Sequence, residues 1–263
     1  MPSFNTVRSL QRGLEVLTIL NLHGPQKAQQ VGELTGLPRP TAYRLLESLA
    51  SLGYVTKSAE DTWLLTLKVK SLSAGFNDSA WVTQIALPAM TKLAKQILWP
   101  IDLVTFDAYE MVVRESTHPI SPFSLDVGMV GHRLPMLDTA AGRAYLSFCP
   151  HDERTAIIDA LSRSDRPQDL MARNPEAVER IVSRTLKLGC GYRVRGFKSQ
   201  TSSFSVPIIH DNTVIACLTL IWIASALDFH EASSRYLDAM RNTADEIATA
   251  MTAGSKDSDA GVF

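Results

Sequence analysis

The chain has 263 residues, enough for one large domain or two smaller ones. Hydrophobic residues make up 45% and charged residues 20%, which is typical of a globular protein, and the formal net charge of −1 gives no whole-chain sign of a polyanionic partner. The three cysteines are too few and too scattered for a disulfide framework or a metal knuckle, so we expect neither a metal nor a cofactor.

The first 57 residues are basic, although the whole chain is not. Their charge is +3 and the remainder carries −4, because six cations stand against three acids: Arg8, Arg12, Lys27, Arg39, Arg44 and Lys57 against Glu15, Glu33 and Glu47. A basic segment attached to a neutral body indicates a polyanionic partner such as DNA.

Two helices are predicted at the start of the chain. The first covers residues 7–22, where Leu10, Leu14, Leu17 and Leu20 or Ile19 follow helical spacing, and it stops at Gly24-Pro25. The second lies in AQQVGELTG, with Val31 and Leu34 facing inward and Gly36 as the C-terminal cap.

A third helix and a hairpin complete the first domain. The helix in RPTAYRLLESLASLG has a predicted buried stripe and ends at Gly53; the stripe is Ala42, Leu45, Leu46, Leu49 and Leu52. The segments GYVTK and TWLLT are joined by the polar SAED and are typical of a hairpin. Three helices followed by a hairpin predict a winged helix-turn-helix domain over residues 5–66.

The rest of the chain is predicted to form a linker helix over residues 67–79 and a second domain over 80–251. Strand segments bracketed by helices favour an α+β domain with an antiparallel sheet covered by helices on one face. The small, polar tail 252–263 is expected to be flexible. The most apolar run, residues 214–227, is shorter than the ~20 residues of a bilayer-spanning helix, so we expect a buried strand and no membrane partner. No signal-peptide core follows the first charges, so a cytoplasmic location is expected.

The start of the third helix is suited to a DNA major groove. Pro38 directs the entry and Pro40 fits the first helical turn, which leaves Arg39 and Arg44 free to bind guanine edges. Thr41 and Tyr43 suit phosphate contacts, and Lys57 suits a backbone contact from the wing. With Arg8 these residues form the predicted DNA-binding set: Arg8, Arg39, Pro40, Thr41, Tyr43, Arg44 and Lys57. The alternative is an ordinary three-helix unit with a solvated outer face.

Three stretches of the chain resemble the IclR family of bacterial transcription regulators, in the family's order between Thr6 and Met251: VRSLQRGLEVLTIL, ELTGLPRPTAYRLLESLASLGYV and LPMLDTAAGRAYLSF. The resemblance implies a winged helix-turn-helix, a linker helix and a GAF/PAS-like effector domain. WPIDLVTFDAYEMVVRESTH and GFNDSAW further resemble the branch that activates catabolism of 3-(3-hydroxyphenyl)propionate and related aromatic acids. A regulator of this kind is expected to bind double-stranded operator DNA as a homodimer or homotetramer, with RNA polymerase as a further partner.

The resemblance also implies an effector pocket lined by Phe123, Leu134, Ala140, Ala141, Arg195, Ser203, Thr219 and Ile221. Ala140 and Ala141 begin a helix whose N–H groups suit a carboxylate, and Ser203 and Thr219 offer hydroxyls on apolar strands. Arg195 stands where small-acid-binding relatives carry an acidic residue, which argues against a glyoxylate- or pyruvate-type ligand and suggests an ion pair with a larger acid. The alternatives are ordinary strand hydroxyls and a loop cation; Arg114 and His118 are secondary candidates.

Other function classes have weaker support. An enzyme would need a site such as a pair of Cys190 with one of five histidines, namely His118, His132, His151, His210 and His230, but no catalytic signature surrounds any of them. A DNA-binding protein without a ligand would not need a second domain of this size. A repressor responding to another small organic acid, and a GAF-like enzyme acting on an aromatic acid, remain the alternatives.

Overall fold

Three helices and a two-stranded hairpin make up the N-terminal part of the chain. In the computed structural model, which describes residues 7–72, 79–127, 129–194 and 198–259, these elements are α1 (Arg8–His23), α2 (Ala28–Thr35), α3 (Arg39–Ser51), β1 (Val55–Lys57) and β2 (Trp63–Leu65). Their shared core consists of Val16, Leu20, Val31, Ala42, Leu46, Leu49, Val55 and Trp63. The predicted winged helix-turn-helix is thus confirmed, and these elements belong to a different compact unit from the strands and helices that follow residue 79.

Two glycines explain the tight turn between α2 and α3. Gly36 caps α2 in the left-handed region (φ 65°), as predicted. A Cβ at Gly32 would lie 2.8 Å from the Leu37 carbonyl oxygen, so only glycine lets the chain return this closely over α2. α3 then begins at Arg39 with Pro40 in its first turn, where a missing N–H costs no helical hydrogen bond.

The predicted apolar stripes were partly wrong at their ends. Leu10 and Leu14 are 62% and 54% exposed, and Leu52 is 57% exposed. Leu34 is also exposed, at 45%. Helical spacing identifies the face of a helix, but the small core is too short to cover its whole length, so the buried residues of α1 are Val16 and Leu20 in its second half.

The linker begins with α4 (Leu67–Ser71), which Thr66 caps by accepting a hydrogen bond from the Lys68 N–H. This helix covers the first part of the predicted linker helix over residues 67–79. Residues 73–78 of that prediction lie outside the described part of the chain.

The C-terminal unit contains a six-stranded sheet among the described residues. A π-helical turn (Val82–Ala86) leads into α5 (Leu87–Ile97), which is followed by β3 (Ile101–Asp107), β4 (Glu110–Ser116), a 3-10 turn (His118–Ile120) and β5 (Arg133–Leu134). The helical part that follows consists of α6 (Ala140–Phe148), α7 (His151–Ser162), a 3-10 segment (Pro167–Arg173) and α8 (Pro175–Leu188). The last described elements are β6 (Gly191–Val194), β7 (Thr201–His210), β8 (Thr213–Ile223) and α9 (Phe229–Asp259). The strand order is β5-β4-β3-β8-β7-β6, and every pairing is antiparallel. Asp211 and Asn212, both at positive φ, form the predicted turn between β7 and β8.

Helices cover both faces of this sheet, so the prediction of one covered face was wrong. Ile101, Leu103, Phe204 and Leu218 point to the face on which α5 and α9 form one core cluster. Val104, Met111 and Cys217 point to the opposite face, where they join α6, α7 and α8. The reason lies in the sequence of the strands. On their second face, hydroxyl side chains alternate with the apolar residues of the first face. Such an alternation predicts a solvent-facing side, but α6 packs over this face.

The last helix, α9, runs to Asp259 and thus passes residue 251, the predicted end of the second domain. Among the described helices, none is long and apolar enough to cross a membrane.

Candidate DNA-binding surface and ligand site

The outer face of α3 carries two unpaired arginines. Arg39 is the first residue of the helix and Arg44 follows one and a half turns later; both side chains are exposed. Among the described residues neither guanidinium has a hydrogen bond or an ion pair, so both are available to an external acceptor. The leucines and Ala42 on the opposite side fix the helix to its core, which holds the two cations outward.

The wing is joined to α3 by an aromatic and ionic cluster. The ammonium of Lys57 lies 5.6 Å from the ring centroids of both Tyr43 and Trp63, and its Nζ is 2.5 Å from an Asp61 carboxylate oxygen. This hydrogen bond lowers the pKa of Asp61 and raises that of Lys57. Lys57 is therefore engaged within the hairpin, and a phosphate that binds it would compete with Asp61.

Tyr43 is likewise engaged. Its phenol is hydrogen-bonded to Glu47, one turn further along α3, and this bond raises the Tyr43 pKa. Its ring also packs edge-on against Trp63, with centroids 5.9 Å apart. Tyr43 thus positions the wing against the helix, in addition to its predicted role as a phosphate contact.

The other predicted DNA-binding residues lie at helix starts. Thr41 is half-buried in the first turn of α3, where its N–H donates to the Pro38 carbonyl at 2.9 Å. Arg8 is exposed at the first residue of α1. The structure thus places Arg39, Pro40, Thr41, Tyr43 and Arg44 on one helix, with Lys57 beside it.

A row of small polar residues crosses the sheet on the face covered by α6. Asp102 is the cross-strand neighbour of Thr219, Thr219 of Ser205, and Ser205 of Gly191. The first three are buried, and the hydroxyls of Ser205 and Thr219 are 2.8 Å apart. We call these four residues the polar row. Their burial among apolar strands is unusual, because polar groups removed from water need partners.

Ser203 and Ile221 extend the same face by one step along the strands. They are cross-strand neighbours, and Ser203 also pairs with Arg193 on β6. Ser203 is 3% exposed, and the predicted pocket residues Thr219 and Ile221 both lie on the neighbouring strand β8. Arg193 is buried and donates to Lys198 and Thr201, including their carbonyl oxygens at 2.9 and 2.8 Å, which ties β6 to the start of β7.

The start of α6 lies over the β6 end of the polar row. A Cβ at Gly191 would lie 2.1 Å from the Ala140 carbonyl oxygen, so the glycine permits the helix to approach the strand. Thr139 caps the helix by accepting a hydrogen bond from the Gly142 N–H at 3.2 Å. Ala140 and Ala141 are buried in this first turn.

Arg143 fastens α6 to β6. Its guanidinium donates to the carbonyl oxygens of Leu137 and Tyr192, both at 2.7 Å. Burial lowers its pKa, and the two carbonyl contacts compensate for part of the lost hydration. The position of the helix start over the sheet is therefore rigidly fixed.

The remaining predicted pocket residues lie away from the polar row or outside the described residues. Leu134 pairs with Met111 on the edge strand β5 and is half-buried in the α6-side core. Phe123 is 46% exposed and packs against Trp99, with ring centroids 4.9 Å apart. Arg195 falls in residues 195–197, which lie outside the described part of the chain.

One buried polar group on this face of the sheet was not predicted, the carboxylate of Asp102. It is 4% exposed, and His118 Nε2 lies 3.7 Å from its Oδ1 atom. The available signal was a lone acid between the apolar residues Ile101 and Leu103, on a strand otherwise suited to burial. His118, considered only as a secondary candidate, is 4% exposed beside it.

The cysteines lack the character of nucleophiles. Burial raises the pKa of the Cys190 thiol to about 11, and the same holds for Cys149. Cys217 is buried and its pKa is also raised. A thiol that stays protonated at neutral pH does not supply the thiolate that the cysteine–histidine hypothesis needs. Within the described ranges, no group of three or more histidine, cysteine or acidic residues is suited to a metal ion.

Two family models match the chain along most of its length. The model described as the IclR helix-turn-helix domain matches residues 9–59, and the bacterial transcriptional regulator IclR C-terminal model matches residues 76–249. The first covers α1 to the wing and the second covers the unit that contains the polar row.

The comparisons with single proteins agree. The chain is 31% identical over 170 residues to the HTH-type transcriptional regulator TsaQ1/TsaQ2 of Comamonas testosteroni, covering 64% of this chain and 61% of that protein. It is 30% identical over 161 residues to the p-hydroxybenzoate hydroxylase transcriptional activator of Acinetobacter baylyi, covering 58% of each. The aligned regions thus span about three fifths of both relatives.

Among solved structures, an IclR homologue of Microbacterium hydrocarbonoxydans in complex with 4-hydroxybenzoate has the same fold, with a TM-score of 0.60 at 20% identity over 93% of this chain and 99% of that one. The matched C-terminal model alone covers more than half of the residues. The chain therefore belongs to the IclR family and is a DNA-binding transcriptional regulator with an effector-binding domain.

Proposed function

We propose that the protein activates an aromatic-acid catabolic operon in response to an aromatic carboxylic acid bound in its C-terminal unit. The observation that carries this proposal is the buried polar row beneath the start of α6, a set of hydrogen-bonding groups inside an apolar sheet. Ligand sites of this kind combine apolar walls with a few oriented polar groups. The relative that activates p-hydroxybenzoate hydroxylase and the homologue bound to 4-hydroxybenzoate support the choice of an aromatic acid.

In this proposal the effector lies on the α6-covered face of the sheet, beside the start of α6. Ser203 and Thr219 supply hydroxyls, Ile221 and Leu134 supply apolar walls, and the first N–H groups of α6 at Ala140 and Ala141 face the carboxylate. A helix N-terminus favours an anion because its N–H groups and dipole point toward it. Phe123 and Arg195 complete the proposed set, with Arg195 as an ion-pair partner of the carboxylate.

The DNA-binding residues follow from the outer face of α3. Arg39 and Arg44 read base edges in the major groove, while Thr41, Tyr43 and Arg8 contact phosphates. Lys57 contacts the backbone from the wing, in competition with its ion pair to Asp61. Pro40 contributes by starting the helix in the direction of the groove.

The exposed half of α1 supports a homodimer. Val7, Leu10 and Leu14 are 63%, 62% and 54% exposed, an apolar stripe that a second copy of the chain would cover. Two linked heads can read two half-sites, which multiplies the specificity of the few base contacts made by one head. Activation would further require a contact with RNA polymerase.

The effector class is tested by thermal unfolding with a panel of carboxylic acids. A ligand that binds the native state raises its stability, so aromatic acids should raise the midpoint while glyoxylate and pyruvate should not. Thr219→Val should weaken this response, and Thr213→Val, at the exposed start of the same strand, is the matched control. A response to glyoxylate or pyruvate only would instead support the alternative of a regulator for small aliphatic acids.

Activation is tested with a reporter fused to the promoter of the target operon. The expected result is higher expression with protein and acid together than with either alone. A repressor would give a different pattern. Expression would be high without the protein, low with the protein alone, and would rise again when the acid is added to the protein.

A further inference from the structure

Asp102 has an unusual environment for an acid. Its neighbours Ile101 and Leu103 belong to the core on the opposite side of the sheet, so its carboxylate faces the α6 side. The side chain is 5% exposed, and its buried Oδ1 atom has no hydrogen-bond partner among the described residues. A buried carboxylate oxygen that lacks a partner is costly, so such an atom points to a group that binds there.

His118 is held next to this oxygen without completing a bond to it. Its Nδ1 atom lies 2.5 Å from the Ser124 hydroxyl, and its backbone N–H donates to the Ser116 hydroxyl at 3.2 Å. These contacts leave Nε2 at 3.7 Å from Asp102 Oδ1, beyond the usual range of a hydrogen bond. A hydroxyl group placed beside the Asp102 carboxylate and the His118 ring can bind to both. It can donate to the carboxylate and accept from Nε2–H, because a hydroxyl has one donor and two lone pairs.

The position of Asp102 within the polar row sets an orientation for a ligand. The row runs from Asp102 on β3 through Thr219 and Ser205 to Gly191 beneath Ala140. Adjacent strands are ~4.8 Å apart, so its ends are separated by about 14 Å. A ligand carboxylate would be repelled by Asp102 and attracted by the start of α6, at the other end of the row.

We propose that Asp102, positioned by His118, accepts a hydrogen bond from a hydroxyl group of the effector. The ligand is then a hydroxylated aromatic acid whose hydroxyl lies at β3 and whose carboxylate lies toward the start of α6. This inference rests on the proposed function, since it specifies the ligand of the same site, and it assigns to Asp102 and His118 a role in selecting that ligand.

The first test compares three acids on the wild-type protein by isothermal titration calorimetry. The probes are 3-(3-hydroxyphenyl)propionate, 3-phenylpropionate, which lacks the hydroxyl, and 3-(3-methoxyphenyl)propionate, which keeps the oxygen but has no donor. The hydroxylated acid should bind about tenfold to a hundredfold more tightly than the other two, as expected for a hydrogen bond to a charged acceptor. Equal affinities of the three acids would overturn the inference without requiring any variant to fold.

The second test removes the acceptor. Asp102→Ala should bring the affinity for the hydroxylated acid down to that for 3-phenylpropionate and leave the latter unchanged within about threefold. Asp107→Ala, at the exposed end of the same strand, should keep the wild-type preference, because the Asp107 carboxylate is paired with Arg133 and not with the polar row. If Asp102→Ala still binds the hydroxylated acid more tightly than 3-phenylpropionate, another group accepts the hydrogen bond from the hydroxyl.

The outcomes separate this inference from the function on which it rests. Binding of aromatic acids without a preference for the hydroxyl would overturn the role of Asp102 and leave the aromatic-acid effector standing. Binding of none of the three acids would contradict the effector class itself, and the inference would fail with it.

Discussion

The outer face of α3 and the polar row of the sheet carry polar groups under opposite conditions. Arg39 and Arg44 are exposed and unpaired among the described residues, while Asp102, Ser205 and Thr219 are buried between strands and α6. The first set remains hydrated until DNA replaces water. The second set is held by the surrounding fold and tolerates little change in shape. Changes at the row should therefore affect folding or ligand selection, whereas changes at the two arginines should affect DNA binding alone.

The largest effect is expected at the glycine beneath α6. Gly191→Ala places a Cβ 2.1 Å from the Ala140 carbonyl oxygen and 2.6 Å from the Ala144 nitrogen, and backbone atoms cannot move aside without shifting the helix. We expect a loss of about 3 kcal/mol or more in the free energy of unfolding, measured by urea denaturation. Gly13→Ala, where nothing lies within 4 Å, should be neutral or stabilising. Equal behaviour of the two variants would mean that α6 does not lie this close to β6.

On the exposed face of α3, Arg44→Ala should weaken DNA binding and leave the stability of the fold unchanged. Operator affinity should fall about tenfold to a hundredfold, the equivalent of ~1–3 kcal/mol for one lost base contact. The free energy of unfolding should change by less than ~0.5 kcal/mol, because the side chain is exposed and makes no hydrogen bond or ion pair with the described residues. Fluorescence anisotropy at a fixed salt concentration measures the operator affinity, and Arg180→Ala on α8 is the control variant. Unchanged affinity would remove Arg44 from the recognition set.

The buried thiols predict a dependence of stability on pH. Cys149 and Cys190 have pKa values raised to about 11 from the ordinary 9.0, so the folded state keeps the proton that the unfolded state loses. Their contribution to the free energy of unfolding is complete below pH 9 and is lost as the pH rises toward 11. It is on the order of 1 kcal/mol per thiol after allowance for partial solvation. The double variant Cys149→Ala, Cys190→Ala should flatten this part of the curve. An unaltered slope would show that the thiols are not shielded from water.

The smallest effect is expected at the wing. Asp61→Asn removes the carboxylate that competes with phosphate for Lys57, so DNA affinity should rise by roughly twofold to fivefold. Glu60→Gln, a neighbouring exposed acid in the same hairpin, should change affinity less. A lower affinity in Asp61→Asn would indicate that the ion pair orders the wing for DNA and does not compete with it.

The two regions also differ in how far the sequence predicted them. The start of α3 was predictable because proline, glycine and leucine spacing fix a helix and its direction locally, and the free arginines follow from that direction. Ser203, Thr219 and Ile221 were assigned to the pocket through the family resemblance, and the strand register places them side by side.

Asp102 was not predicted, because its role depends on contacts far apart in the sequence. Its neighbours on the sheet are Thr219 and Ser116, and its nearest polar group is on His118. A lone acid in an apolar strand suggests an unusual site, but only the strand register shows what it faces. The second covered face of the sheet was missed for the same reason, since buried hydroxyls and solvent-facing hydroxyls give the same alternation in sequence.

The central claim is that an aromatic acid bound at the polar row changes the affinity of the protein for operator DNA. The most direct measurement is the anisotropy of an operator fragment, selected in vitro with the purified protein, titrated with and without saturating 3-(3-hydroxyphenyl)propionate. The account predicts a change in affinity of at least about fivefold in the wild type, reduced in Thr219→Val and retained in Thr213→Val. Acid binding that leaves operator affinity the same in all three proteins would contradict it.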